Sequence, residues 1–151
     1  MPTVRRSIEI AAPVAQVFDY VADPRHLLEI WPNMVEITNV APHPDGGTGF
    51  DWVYKMAGVK VRGHSEDVEF VRNQCVVSRS EAGIPNTFRW RYDDKDGATA
   101  LTLEVDYEPP RSVFGRLARP FLDRINRRDA ETLLKNLKTR MERPPGATVK
   151  A

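Results

Sequence analysis

The residues that decide the fold are 4–32, which read VRRSIEIAAPVAQVFDYVADPRHLLEIWP. Polar and apolar side chains alternate over Val4–Ala11, and this alternation predicts a first β-strand with one buried face. Pro13 suits the first turn of a helix, because its missing N–H costs nothing there, and apolar residues then recur at helical spacing. Asp23 can cap a second short helix that ends near Pro32. The opening therefore predicts one strand followed by two short helices.

The middle of the chain has a different period. From residue 35 to residue 107 apolar side chains recur at every second position, which is typical of half-buried strands. Short turn sequences such as Ala57-Gly58 and Asp94-Lys95-Asp96-Gly97 separate these runs, and connections this short require antiparallel neighbours. The predicted strands are Val35–Val40, Thr48–Ala57, Val59–Val71, Gln74–Glu81, Asn86–Asp93 and Thr99–Tyr107.

The last part of the chain is helical in period. Over Ser112–Arg143 apolar residues recur at i, i+3 and i+4, with arginines and lysines on the other face. Pro120 lies inside this pattern, so the helix either kinks there or begins its main part there. Laying the helix across a curved sheet buries the apolar surface of both. We therefore predict an α+β fold in which a seven-stranded curved antiparallel sheet grips a long C-terminal helix, with two short helices after strand one and a cavity beneath the helix.

The composition is that of one ordinary globular domain. The chain has 151 residues, and 41% of them are hydrophobic, which is enough for a single core. We predict a domain over residues 1–143 and a disordered tail over residues 144–151, where Pro144-Pro145-Gly146 cannot continue a helix. Cys75 is the only cysteine, and no apolar run reaches the roughly 20 residues that span a bilayer. We expect a cytoplasmic protein that is a monomer or a homodimer.

Charge is unevenly distributed along the chain. Residues 1–110 carry 11 basic and 17 acidic side chains, whereas residues 111–143 carry 10 basic and 4 acidic ones. A solvated basic helix beside an acidic sheet accounts for this asymmetry, and so does an anionic partner such as a phosphate or a membrane surface. No nucleic-acid motif accompanies the arginines, so the sequence predicts no nucleic-acid partner.

Large aromatic side chains fall on the predicted inner face of the sheet. One interpretation is a packed aromatic core, and the other is a wall for a flat or hydrophobic ligand. Under the second interpretation, two residues of the closing helix would act as part of a lid. The ligand-binding candidates are Trp31, Trp52, Tyr54, Phe88, Trp90, Tyr92 and Leu103, with Leu117 and Phe121 from that helix.

Residue clusters near both ends of the chain carry a family resemblance. They are Ile8-Glu9-Ile10-Ala11-Ala12-Pro13, Val17-Phe18, Val21-Ala22-Asp23-Pro24, Trp31-Pro32 and Tyr107-Glu108-Pro109-Pro110. With these clusters, the order of elements resembles the START-related helix-grip superfamily (SRPBCC), which includes birch-pollen-allergen-like proteins and polyketide cyclases. The resemblance covers nearly the whole chain. Because these residues set the strand-to-helix turn and the core, it implies the fold more strongly than the chemistry.

The resemblance to the polyketide cyclase/dehydrase-like branch implies hydroxyl, guanidinium or imidazole groups that promote enolisation and dehydration. The catalytic candidates are Tyr54, Arg79 and His64. His64 lies mid-strand with neighbours of both polarities on its face, so a β-bulge decides whether it reaches the cavity. Arg79 faces outward in the predicted register and would line the cavity only if the register slipped by one residue. No P-loop, Rossmann, zinc-helix or Gly-x-Ser-x-Gly pattern is present, so we expect neither a metal nor a cofactor.

The sequence leaves three functions open. Binding or transport of a lipid-like or polyketide-like hydrophobic small molecule is favoured, because no acid–base cluster is recognisable. The alternative is a polyketide cyclase, aromatase or dehydrase. The third is an interaction protein that uses the basic helix face to contact an anionic membrane surface or partner. The first two differ in whether two or more ionisable groups point into one closed cavity.

Overall fold

A computed structural model describes residues 3–108 and 119–143, and it confirms the predicted α+β fold. The strands are β1 (Thr3–Ile10), β2 (Met34–Pro42), β3 (Thr48–Met56), β4 (Val59–Val71), β5 (Cys75–Ala82), β6 (Asn86–Lys95) and β7 (Ala98–Tyr107). The helices are α1 (Val14–Ala22), α2 (Leu27–Ile30) and α3 (Arg119–Met141), and a 3-10 turn at Pro24–His26 precedes α2. Among the described residues, no helix is both long and apolar enough to cross a membrane.

The seven strands form one antiparallel sheet in the order β1-β7-β6-β5-β4-β3-β2. The two short helices carry the chain from β1 at one edge to β2 at the opposite edge. The carboxylate of Asp23 accepts a hydrogen bond from the backbone N–H of Arg25 at 3.1 Å, so it caps the turn between these helices as the sequence predicts. A tight turn in place of the helices would have paired β2 with β1.

Two hairpins set the ends of their strands. Ala57 and Gly58 join β3 to β4 with φ values of 49° and 83°, and Asp96 and Gly97 join β6 to β7 with φ values of 53° and 91°. Positive φ at both central residues gives a two-residue turn whose twist matches that of the strands. Because this turn needs only two residues, β6 continues to Lys95, beyond its predicted end.

Helix α3 packs against the concave face of the sheet along its apolar stripe. Leu133 and Leu137 are at most 1% exposed and lie in a core that includes Phe18 and Trp90. Burial of each leucine contributes about 2–3 kcal/mol, so this stripe fixes the helix on the sheet. Pro120 is the second residue of α3 as the structure describes it, a position where proline is tolerated. Residues 109–118, with Leu117, and the tail over residues 144–151 lie outside the described residues.

Candidate functional site

A cavity of about 130 Å³ lies between the concave face of the sheet and α3. Its wall is mostly apolar and aromatic, and all three tryptophans of the chain take part in it. Seven ligand-binding candidates line it, namely Trp31, Trp52, Tyr54, Phe88, Trp90, Tyr92 and Leu103. Their binding role stays a prediction. Phe121 is 59% exposed and does not line the cavity, so its predicted place there is wrong, because it projects from α3 toward solvent.

The wall on the β3 and β4 side depends on a close approach between Trp52 and Gly63. These residues are cross-strand partners, and a Cβ atom on Gly63 would come within 2.1 Å of the indole ring. Glycine therefore lets the ring lie flat against β4. The indole Nε1 donates a hydrogen bond to Oγ of the buried Ser65 at 2.9 Å. This bond satisfies the one polar atom of the ring and leaves an apolar surface toward the cavity.

A buried carboxylate in the wall collects three hydrogen bonds. Asp129 of α3 is 9% exposed and accepts from Trp31 Nε1 at 3.0 Å and from Asn33 Nδ2 at 2.7 Å. It also accepts from the hydroxyl of Tyr54 in β3. A carboxylate out of water requires such donors, because its own solvation is lost. The three bonds connect α3, the α2–β2 connection and the sheet at one end of the cavity.

Tyr54 is held in its protonated form within this cluster. Burial, followed by the charge of Asp129 and its hydrogen bond, raises the pKa of Tyr54 well above its usual value. The tyrosine hydroxyl therefore acts as a hydrogen-bond donor over the physiological pH range. A second tyrosine behaves similarly: burial raises the pKa of Tyr107 to about 12, while its hydroxyl donates to Asp123 and the nearby Asn126 amide lowers the pKa.

The opposite end of the cavity has a different polar pair. Tyr92 is 3% exposed, and burial together with the charge of Asp67 raises its pKa. Burial also raises the pKa of Asp67, although this carboxylate accepts a hydrogen bond from the backbone N–H of Thr48 at 2.8 Å. Asp67 and Asp129 both line the cavity, whereas no lysine, arginine or histidine among the described residues does. The electrostatics of the wall therefore disfavour an anionic ligand.

Two of the three catalytic candidates lie away from the cavity. His64 is on the convex face, where its Nδ1 is 2.6 Å from Asp51 and its Nε2 is 2.6 Å from Glu66. Alternation along β4 turns the residues on either side of it inward instead. Arg79 is exposed on the same face as the register partner of Glu66, as the outward register predicts. Tyr54 is thus the one catalytic candidate that lines the cavity.

The electrostatics of His64 reflect this surface cluster. Hydrogen bonds to Glu66 and Asp51 raise the pKa of His64, and the contact with His64 lowers the pKa of Glu66. The pKa of Asp51 is lowered first by the hydrogen bond from Asn39 and then by the one from His64. His43 extends the cluster, with its Nε2 2.6 Å from Glu66. Within residues 3–108 and 119–143, no group of three or more histidine, cysteine, aspartate or glutamate side chains is arranged to hold a metal ion.

Sequence reasoning missed two polar residues of the wall, Asn126 and Asp129. They share the i, i+3, i+7, i+11 row of α3 with Leu133 and Leu137, so polar side chains interrupt a stripe that is otherwise apolar. Both line the cavity. Such an interruption in a core-facing row was the signal that marked them, because a polar group there needs a partner or a ligand.

Comparison with known proteins agrees with this architecture. Protein TTHA0849 from Thermus thermophilus is 26% identical, with a TM-score of 0.80 over 93% of this chain and 97% of that one. The Zhui aromatase/cyclase from Streptomyces sp. R1128 has a TM-score of 0.81 at 18% identity, over 97% of this chain and 99% of that one. A START superfamily protein from Mycobacterium smegmatis has a TM-score of 0.78 at 19% identity, covering 93% and 97%. The likeness to the second and third of these proteins shows a shared fold.

The sequence itself decides the family. No curated protein gives a significant match to the chain. The model of the family described as polyketide cyclase / dehydrase and lipid transport matches residues 1–142, almost the full length. The chain therefore belongs to the polyketide cyclase / dehydrase and lipid transport family.

Proposed function

We propose that the protein binds an uncharged hydrophobic small molecule in the cavity between the sheet and α3. The observation that carries this proposal is the wall itself, which is mostly apolar and aromatic and includes two carboxylates but no cationic side chain among the described residues. The family and the helix-grip neighbours support a role in ligand binding or cyclisation. The charges of the wall restrict the proposed class of ligands to molecules without a negative charge.

The volume of the cavity sets the expected scale of the ligand. About 130 Å³ is close to the roughly 150 Å³ of an apolar cavity that holds benzene. One aromatic ring buries about 150 Å² or more, which is worth about 4 kcal/mol. We therefore expect single-ring compounds to bind with millimolar dissociation constants and larger ligands to require movement of the wall.

The proposal is tested by native mass spectrometry of gently purified protein, with extraction and identification of any bound molecule. Titration with a neutral single-ring compound follows, read from tryptophan fluorescence, because Trp31, Trp52 and Trp90 all line the cavity. The variant Ala130→Phe places a ring in the cavity and should abolish the response. Lys135→Phe puts the same ring on the exposed side of α3 and should retain it. A response that survives Ala130→Phe would contradict binding in this cavity.

A cyclase or dehydrase is the second candidate, and the hydrogen-bonded pair of Tyr54 and Asp129 favours it. Both residues line the cavity, where a carboxylate would take a proton from a β-keto substrate and a hydroxyl would donate to its enolate oxygen. The test is turnover of a β-keto thioester. If Tyr54→Phe and Asp129→Asn abolish turnover but retain binding of the thioester, the result supports catalysis. Equal loss of turnover and binding would indicate a role in shaping the cavity alone.

The exposed face of α3 supports an additional contact with anionic membranes. Arg124, Arg127 and Arg128 are exposed and form no ion pair with the rest of the described chain. Phe121 lies one turn before Arg124 and is 59% exposed. An exposed ring beside unpaired cations suits the interface of an anionic bilayer. A protein with this face would meet hydrophobic ligands at the membrane.

A further inference from the structure

One hydrogen-bond donor in the cavity wall is left without an acceptor. The side-chain Nδ2 of Asn126 is buried and has no hydrogen-bond partner among the described residues. The carboxylates of Asp129 and Asp123 each already accept from a tyrosine hydroxyl, that of Tyr54 and that of Tyr107 respectively. The Asn126 amide also lies beside the Tyr107 hydroxyl, and its approach lowers the pKa of that group. A buried donor that no described residue pairs is suited to an acceptor carried by a ligand.

We propose that Asn126 anchors the ligand by donating a hydrogen bond from Nδ2 to a carbonyl oxygen, so that the preferred ligands are hydrophobic ketones, esters or amides. The inference rests on the proposed function and adds the polar group that the ligand carries. A carbonyl oxygen supplies the acceptor that Asn126 lacks. It brings no charge into a wall that already holds buried carboxylates.

The surrounding charges select a neutral acceptor over a carboxylate. Asp123 and Asp129 lie three residues before and three residues after Asn126, which places all three side chains along one face of α3. Two carboxylates flanking the anchor would repel a negatively charged ligand group. No cation from the described residues lines the cavity to offset that repulsion. Free fatty acids and other carboxylates are therefore poor ligands for this site, whereas a ketone of the same shape is accepted.

A pair of probes with nearly the same shape isolates the anchor. Acetophenone and α-methylstyrene differ in that a carbonyl oxygen replaces a methylene group. Their affinities are measured by calorimetry or NMR titration in the wild-type protein and in Asn126→Leu. We expect Asn126→Leu to lower the ratio of acetophenone affinity to α-methylstyrene affinity about tenfold, equivalent to about 1.4 kcal/mol. Benzoate is expected to bind the wild-type protein more weakly than acetophenone.

A matched variant separates the anchor from a general effect on α3. Asn136 lies on the same helix, donates to the backbone carbonyl of Ile30 at 2.9 Å and does not line the cavity. Asn136→Leu should lower the melting temperature and leave the affinity ratio unchanged. Asn126→Leu should leave the melting temperature unchanged or raise it, because removing an unpaired buried donor relieves a desolvation penalty.

The outcomes distinguish the anchor from the proposed function. An affinity ratio that is the same in the wild-type protein and in Asn126→Leu overturns the anchor, while binding of α-methylstyrene alone leaves the proposed cavity function intact. If Asn126→Leu does not fold, the NMR resonances of the Asn126 side-chain amide in the wild-type protein test whether Asn126 contacts the carbonyl oxygen. They should shift with acetophenone and not with α-methylstyrene. Binding of neither probe to the wild-type protein counts against both the anchor and the proposed function.

Discussion

The hydroxyl of Tyr54 in β3 donates a hydrogen bond to the carboxylate of Asp129 in α3, across one end of the cavity. The two residues are 75 positions apart in sequence, and both are almost fully buried. The bond therefore joins the sheet to the helix by a polar contact inside an apolar core. Because an unpaired buried polar group is costly, a contact of this kind stabilises the packing of the helix on the sheet only while all of its donors remain paired.

Removing Asp129 should cost more stability than removing the hydroxyl of Tyr54. Asp129→Ala leaves three donors unpaired, a buried one on Tyr54 and part-buried ones on Trp31 and Asn33, and should lower the free energy of unfolding by about 2–4 kcal/mol. Tyr54→Phe removes one donor and leaves the carboxylate with two, so it should cost about 1–2 kcal/mol. Urea denaturation of the two variants measures both values. The reverse order would show that the carboxylate is not the centre of this cluster.

The glycine under the Trp52 ring should be intolerant of substitution. Gly63→Ala forces the indole away from β4, and overpacking of this kind costs about 1–3 kcal/mol. The displaced ring should also change the tryptophan emission spectrum. Ser65→Ala serves as the control, because it removes the acceptor of the indole N–H without pushing the ring. Thermal denaturation and emission spectra of both variants test this, and an unchanged spectrum in Gly63→Ala would contradict the close approach.

The surface cluster around His64 should make stability depend on pH. Because hydrogen bonds to Glu66 and Asp51 raise its pKa in the folded state, the contribution of His64 is fully present below its unfolded pKa of about 6.5. That contribution is lost as the pH rises through the higher folded pKa. The carboxylates have lowered pKa values, so their contribution is lost as the pH falls through those values in the acid range.

The difference in unfolding free energy between the wild-type protein and His64→Gln measures this effect. It should be larger near pH 6 than near pH 9, because the imidazolium is present at the lower pH. The side chain is 46% exposed, so solvent screening keeps the difference small. Equal differences at the two pH values would show that His64 does not gain a proton through these contacts.

The fold follows from the sequence because periodicity is a local property. The alternation over residues 35–107 and the helical stripe of α3 each reflect one buried face, so the succession of elements and the packing of the helix on the sheet could be predicted from them. The residues at which the strands end could not be predicted in the same way. Whether the turn before β7 used four residues or two depended on the φ values of Asp96 and Gly97, which the sequence pattern does not specify.

The candidate site was only partly predictable. The aromatic wall followed from alternation, because Trp52 and Tyr54 lie two positions apart on a strand. The orientation of His64 depended on the local register of β4, where irregular pairing begins at the next residue, and a polarity pattern does not reveal such irregularities. Asn126 and Asp129 were missed because an amphipathic stripe is defined by its apolar members, whereas the functional information lay in its two polar exceptions.

The basic face of α3 should bind vesicles that contain anionic lipid. Each arginine near such a surface contributes about 1 kcal/mol, so Arg124→Gln with Arg128→Gln should weaken binding about 30-fold. Phe121→Ala should weaken it further, because the ring is exposed and available to enter the interface. Sedimentation with vesicles of phosphatidylcholine and phosphatidylserine measures the affinity, which should fall as salt is raised because screening acts on exposed charges. The double variant Lys55→Gln with Lys60→Gln removes two exposed cations at the β3–β4 hairpin and should leave binding unchanged. Equal loss in both double variants would show attraction by overall charge, and binding that is insensitive to salt would contradict an electrostatic contact at this face.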